Sequence, residues 1–348
     1  MVQTMKKALL SMLVALSFAF VQSLLIAQDD FPRTPSGKPD FSGNYDTSSL
    51  TPYLRPEKFG DREYLTAEEV KEISDGAINR LDQGDQALDP DRGAPEAGIN
   101  IDYVSVDGFW LNFGDSASAI NGKYRTSIIT YPENGRLPER TPEGKKKAAM
   151  AIPYAWPEKG LAWWLEEPDV HPFDGPENLS LETRCIYTPS ASLPVFPVAY
   201  NNLKTVVQTE DYLMLYIEWQ HWARIIRIGD KEHKHIGHAS YDGDSIAWWE
   251  GDTLVVETIN IISEVPPREV ADRRIVERFS RNDDGGIVYA YTVEDANYTD
   301  KYSAEVSWRL TDKKPYEYAC HEGNHHAMPG ILMGARLQEK EYREKNGL

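Results

Sequence analysis

In this 348-residue chain the histidines are the first places where chemistry could reside. His221 falls in the run Tyr212 to Ile228. Read as one strand, alternation puts it on a face with Leu213, Leu215, Ile217, Trp219, Ala223 and Ile225, opposite Tyr212, Tyr216, Glu218, Gln220, Trp222 and Arg224. An imidazole on an apolar wall has its charged form disfavoured, which suits a neutral general base. The alternative is a core histidine bonded to one carboxylate or carbonyl. Arg224 is a cation costly to bury unpaired, and so marks a place for an anion. Three positions apart on a regular strand, the two side chains point to opposite faces. They share a site only across a β-bulge or from the strand's rim.

Two further histidine groups invite a metal reading. His321-Glu322-Gly323-Asn324-His325 matches H-E-x-x-H, in which two histidines one helical turn apart bind zinc and the glutamate activates water. Gly323-Asn324 is a poor helix interior, which argues against that helix and leaves His321 and Glu322 as candidate acids facing a pocket. His233, His235 and His238 lack a clear fourth ligand and read as a polar loop. No metal ligand is therefore assigned. Asp244, Glu250 and Asp252 surround a turn; Asp252 suits the turn itself, whereas Asp244 or Glu250 could orient His221. Nine tryptophans and nineteen tyrosines allow an aromatic-lined cavity or simply a large β-core. Ligand contacts are assigned to Tyr200, Asn201, Trp110, Asp244, Trp249 and Glu250. A Gly-rich phosphate loop, a G-x-S-x-G elbow and a dinucleotide fingerprint are all missing, so no cofactor is expected.

The elements that must position these residues are mostly strands. Leu203 to Gln208, Tyr212 to Ile228, Thr253 to Ile259, Arg274 to Ser280, Gly286 to Glu294 and Tyr302 to Leu310 are strand-like and separated by turn residues. Ile287, Tyr289, Tyr291 and Val293 share one face, as do Tyr302, Ala304, Val306 and Trp308. Consecutive strands without intervening helices predict an antiparallel meander that closes into a barrel. Earlier in the chain, Phe41 to Tyr45, Phe109 to Phe113 and Tyr124 to Tyr131 read as strands. A helix starts after the capping box Thr66…Glu69, with Val70, Ile73, Ala77 and Leu81 on its apolar face, and a Lys-rich helix covers Glu143 to Met150.

Lys6-Lys7, the apolar run Ala8 to Val21 and small residues up to Ala27 describe a signal peptide over 1–27, with a membrane anchor as the alternative. The remaining 28–348 read as one β-rich domain with an irregular extension over 28–100. The formal charge of −18 becomes −20 when the two signal lysines leave. Such a surface repels phosphate backbones and anionic lipid, so nucleic acid and membranes are excluded as partners and a small molecule is the expected ligand. Cys185 and Cys320 read as one structural disulfide in an oxidising compartment, or else as two buried thiols.

Several phrases resemble an uncharacterised family of exported bacterial proteins. They include Pro39-Asp40-Phe41-Ser42-Gly43, Arg125-Thr126-Ser127, Asn134-Gly135-Arg136-Leu137-Pro138, Tyr200-Asn201-Asn202 and His221 with Arg224-Ile225-Ile226. Trp249 to Val256, Val276-Glu277-Arg278-Phe279, Thr292-Val293-Glu294-Asp295 and Tyr316 to Asn324 continue the likeness over nearly the whole chain. Gly43-Asn44-Tyr45 also looks like the Gly-x-Trp opening of lipocalin-like barrels. Trp222 stands where the family has an acidic residue, and Ile246-Ala247-Trp248 where it has arginines and glycine, which implies a more apolar pocket. The resulting expectation is a periplasmic or secreted, lipocalin-like barrel that binds a small organic or sugar-like molecule. Acid–base chemistry of lyase, hydratase or isomerase type would use His221, Arg224 and His321 or Glu322. Pure binding is the alternative, and metal-dependent hydrolysis at His321–His325 a third reading.

Overall fold

A computed structural model describes residues 31–84, 112–151, 160–167, 171–188, 192–229, 232–233, 239–263 and 268–348. The signal segment 1–27, Trp110, His235, His238 and most of the strand expected at 109–113 lie outside these residues. Residues 31–40 form a small loop of their own, bridged between Arg33 and Pro39.

From Phe41 onward the chain builds a closed β-barrel. Its strands are β1 (Gly43–Asp46), β2 (Ala119–Ile120), β3 (Lys123–Tyr124), β4 (Ile129–Tyr131), β5 (Leu203–Gln208), β6 (Tyr212–Ile217), β7 (Trp222–Ile228), β8 (Asp244–Glu250), β9 (Thr253–Ile259), β10 (Arg273–Arg281), β11 (Ile287–Asp295) and β12 (Tyr302–Leu310). Nine of them form the wall in the order β1-β5-β6-β7-β8-β9-β10-β11-β12, closed by β12 against β1. The seam is shared: β4 pairs with Ser303 and Ala304 of β12, and β1 with Arg309 and Leu310. An odd-numbered ring cannot be antiparallel throughout, because each antiparallel neighbour reverses direction and the reversals must cancel on closure. The parallel pair is β7–β8, with Arg227 beside Ile246. The expected meander is therefore observed from β5 to β12, with one parallel step between β7 and β8.

Alternation decides which side chains face inward. Leu213, Leu215, Leu254, Val256, Ile275, Phe279, Val306 and Trp308 are at most 1 % exposed, whereas Val207 and Ile225 are about half exposed. The faces read from β11 and β12 turn toward the core, all of their residues buried except the half-buried Tyr302. Large rings fill the interior. Trp308 lies 4.7 Å from Tyr289 and 5.6 Å from Phe279, ring centre to ring centre. Leu193 and Val195 insert into the same core, where the Val195 N–H donates to Tyr289 Oη at 3.0 Å. The lumen is thus packed by the protein's own side chains.

Three expectations need correction. Tyr212 to Ile228 is a hairpin, β6 and β7, because one strand of that length would span about 56 Å, roughly twice its neighbours. Residues 218–221 make the turn, with Gln220 and His221 in the left-handed region. β8, absent from the expected strands, is a wall strand. Tyr124 to Tyr131 breaks into β3 and β4.

Among the described residues, three α-helices flank the wall. α1 (Ala67–Gly84) starts at the expected capping box: Glu69 N–H donates to Thr66 Oγ1, and Thr66 N–H to Glu69 Oε2 at 2.8 Å. α2 (Pro142–Ala151) is the Lys-rich helix. α3 (Cys320–Asn346) runs through Gly323-Asn324, correcting the expectation that this dipeptide prevents a helix. Packing outweighs propensity here. Ala335 buries against Ala162, Trp163 and Trp164, Tyr342 bonds Glu166, and the Cys185–Cys320 disulfide holds the first turn. No described helix is long and apolar enough to cross a membrane.

Candidate functional site

Two of the phrases noted in the sequence meet inside the barrel. Arg224 projects inward from β7 and Glu277 from β10, and their side chains are 1 % and 0 % exposed. The contact is bidentate, Nη1 to Oε1 at 2.9 Å and Nη2 to Oε2 at 2.5 Å. Ser245 Oγ accepts from Nε and Nη2, Thr258 Oγ1 accepts from Nη2, and the Ser192 carbonyl accepts from Nη1. Tyr289 Oη donates to Glu277 Oε1 at 2.6 Å. Burial alone would lower the Arg224 pKa, but the Glu277 charge outweighs it and holds the guanidinium protonated. Burial, then the Glu277 anion, pushes the Tyr289 phenol well up. Every guanidinium nitrogen has a protein acceptor, so this pair organises the barrel.

A second cluster continues from Ser192 toward the surface. Ser192 Oγ donates to Tyr187 Oη at 2.7 Å, and Tyr187 Oη donates to Asp242 Oδ1 at 2.9 Å. The Trp222 indole N–H donates to the other carboxylate oxygen. The Tyr187 ring meets Trp222 edge-on at 5.2 Å and stacks with Tyr241 at 5.4 Å. Tyr187 and Ser192 are buried, whereas Trp222, Tyr241 and Asp242 are half-buried. Burial raises the Asp242 pKa above the usual carboxylate value, against the opposing effects of Arg224 and the hydrogen bonds from Trp222, Tyr187 and Ser192. The result is a carboxyl group that retains a proton more readily, backed by a serine–tyrosine chain and walled by aromatic rings.

The other expected site residues are dispersed. His221 sits exposed in the β6–β7 turn, and the face assigned to it is inverted: Ile225 points out at 55 % exposure while Arg224 points in. The turn resets the alternation, pairing Leu215 with Arg224. Asp244 faces the outer wall, bonded to Arg227 at 3.0 Å and His233 at 3.0 Å. Burial would raise its pKa, but those bonds hold it below the usual range. Glu250 is exposed and pairs with Arg278 at 2.8 Å. Trp249 stacks on Phe41 at 6.1 Å. Tyr200 packs on Trp219 at 4.7 Å, and the Asn201 carbonyl accepts from Lys204.

On α3 the inward positions are Cys320, Asn324, Met328 and Ala335, so His321, Glu322 and His325 lie on the solvent side. Among the described residues no group of three or more His, Cys, Asp or Glu is placed to hold a metal. The Cys185–Cys320 disulfide is formed, with a Cα–Cα distance of 5.9 Å.

Sequence reasoning missed Asp242, Tyr187, Ser192 and Glu277. Asp242 stood in view as part of Asp242-Gly243-Asp244 but looked like turn chemistry. Glu277 carried a usable signal, a carboxylate at an inward position of the alternating run Ile275 to Phe279, which demands a buried cation. Tyr187 and Ser192 sit in irregular chain, where no periodicity reveals burial. Compared with known proteins, the chain matches no family model, no curated protein and no solved structure.

Proposed function

We propose that this is an exported β-barrel protein that binds a small organic molecule at the rim formed by Trp222, Tyr241, Tyr187, Ser192 and Asp242. The observation that carries the reading is the hydrogen-bonded chain Ser192–Tyr187–Asp242, ending in a half-buried carboxyl group beside half-buried rings. Apolar walls with a few convergent polar groups are the composition of small-molecule sites. The packed lumen directs binding to this end. A neutral or cationic ligand suits the acidic surface. The disulfide supports an oxidising destination, and the N-terminal residues supply the export signal. The phrases that resemble exported bacterial proteins support the same destination, since Arg224, Glu277 and Cys320 lie within them.

A second reading is acid–base catalysis, favoured by the raised Asp242 pKa. Asp242 would then be the acid and Ser192–Tyr187 its proton supply, with no role for the exposed His221. A thermal-shift screen of small organic molecules, repeated with Asp242→Asn and Tyr187→Phe, tests both readings. Ligands whose shift falls in both variants support the rim site. Conversion of such a ligand by the parent, lost in Tyr187→Phe even at ligand concentrations that saturate the variant, assigns catalysis; binding without conversion assigns a pure binding protein. Ligands that stabilise all three proteins equally would place the site elsewhere.

A further inference from the structure

The parallel step between β7 and β8 leaves part of the wall open. β8 joins β7 at Arg227 and Ile228, where the Gly229 N–H donates to the Ala247 carbonyl at 2.8 Å. The Ile228 N–H turns the other way, to the Asp211 carbonyl at 2.7 Å. Backbone groups of successive strand residues point to opposite edges, so odd-numbered residues of β7 face β8 and even-numbered ones face β6. Arg224 and Ile226 are accordingly satisfied by the β6 ladder, opposite Leu215 and Leu213. Ala223 and Ile225 precede the start of the β7–β8 pairing, and among the described residues their N–H and C=O groups have no strand partner. Both residues are exposed, Ile225 at 55 %. Open edges are ordinarily blunted by a lysine, a proline or a bulge, and these positions carry none of them. The outer face beside the edge is apolar as well. Val207, Met214 and Ile225 form one cross-strand row, and Tyr216 with Ala223 the next. The chain holds 55 acidic residues, yet the outward positions of β5, β6 and β7 hold none.

We infer that the open edge of β7 at 223–225 docks an extended peptide, which adds to the wall as a strand antiparallel to β7. The backbone dictates the occupant: N–H and C=O groups spaced two residues apart along an edge are matched by another strand. An antiparallel strand there supplies the neighbour that the parallel step denies to this half of β7. Its outward side chains lie beside Ala223 and Ile225 and are apolar at every second position. A peptide fits better than a second copy, since two chains of formal charge −18 repel each other and the acidic surface favours a neutral or basic segment. The contacts are backbone groups of β7, so the inference does not rest on the rim around Asp242.

The test combines amide hydrogen exchange with selection from a displayed library of random peptides against the folded protein. In the free protein Ala223 and Ile225 should exchange fast while Arg224 and Ile226 are protected. Selected sequences should alternate apolar residues, and a synthetic copy of one should protect Ala223 and Ile225. Ile225→Pro removes an N–H from the open edge and spares the β6 ladder, so the melting curve should hold while peptide affinity falls about tenfold. Asp242→Asn should bind the peptide as the parent does, which separates this edge from the rim. Equal protection of all four amides in the free protein overturns the site, as does a library that yields no binder. A selected peptide that binds Ile225→Pro with parental affinity overturns it too. Protection of Ala223 and Ile225 that rises with protein concentration alone would assign the edge to a second copy and overturn the peptide. The parent's exchange pattern with and without peptide decides the matter if Ile225→Pro does not fold.

Discussion

Replacing Glu277 with glutamine would leave the Arg224 charge inside the barrel without a counter-charge. The introduced carboxamide keeps the shape and one acceptor oxygen for Arg224 Nη1 and Tyr289, but its NH2 then faces the Nη2 donor, so both the counter-charge and half of the bidentate contact are lost. Both side chains are fully buried, so solvent screening cannot soften the loss. Breaking one half of such a pair typically destabilises by about 3–5 kcal/mol. For a unit of this size that corresponds to a fall in Tm of roughly 5–8 °C. Replacing both partners by aliphatic side chains, Arg224→Met with Glu277→Leu, should recover most of the loss, because the two changes are coupled through one network. Urea unfolding of the parent, the two single variants and the double variant gives the coupling directly. A Glu277→Gln protein within about 1 kcal/mol of the parent would refute the buried pairing, as would a double variant whose loss is the sum of the singles.

Other perturbations probe separate parts of the fold. The folded-state pKa of Asp242 is raised, so its contribution to stability is complete below the unfolded value and is lost as pH rises through the folded one. Melting curves from pH 3.5 to 7 should therefore show this acid-side gain in the parent and not in Asp242→Asn; an identical profile in both contradicts the shift. Reducing the Cys185–Cys320 bridge opens a loop of sequence separation 135, for which chain entropy sets a loss of at most about 5 kcal/mol. Protease sensitivity should appear first around the start of α3, and unchanged cleavage would count against its role as an anchor. Thr66→Ala removes the side-chain half of a capping box and should lower stability by about 1 kcal/mol, read by urea unfolding. His325→Ala should alter neither melting temperature nor metal content, given its exposed position on α3. Stoichiometric zinc that this change removes would reinstate the hydrolase reading.

The wall was legible wherever a strand keeps one face in the core. β5, β9 and β12 begin and end where alternation and turn residues placed them, and the faces of β11 and β12 are as read. The sequence failed where alternation is reset or hidden. β6 and β7 look continuous because their turn, Glu218 to His221, is built of residues with no strong turn signature, and misplacing it inverted the face of His221. β8 escaped notice because Ser245 and Trp249 face a polar and aromatic interior that gives no clear two-residue rhythm. α3 overrides its own glycines through contacts with Ala162 to Glu166, which are remote in sequence. The rim site was illegible for the same reason: Tyr187, Ser192 and Asp242 meet through long-range packing, and each alone has an ordinary loop context.

The most direct test of the ligand reading follows the indole N–H resonance of Trp222, which is bonded to Asp242. In a proton–nitrogen correlation spectrum, a small molecule selected by thermal shift should move this resonance, identified by its loss in Trp222→Phe. The same molecule should lose both its thermal shift and its spectral effect in Asp242→Asn. A bound ligand that leaves the Trp222 resonance in place and binds Asp242→Asn with unchanged affinity would contradict the assignment of this rim as the binding site.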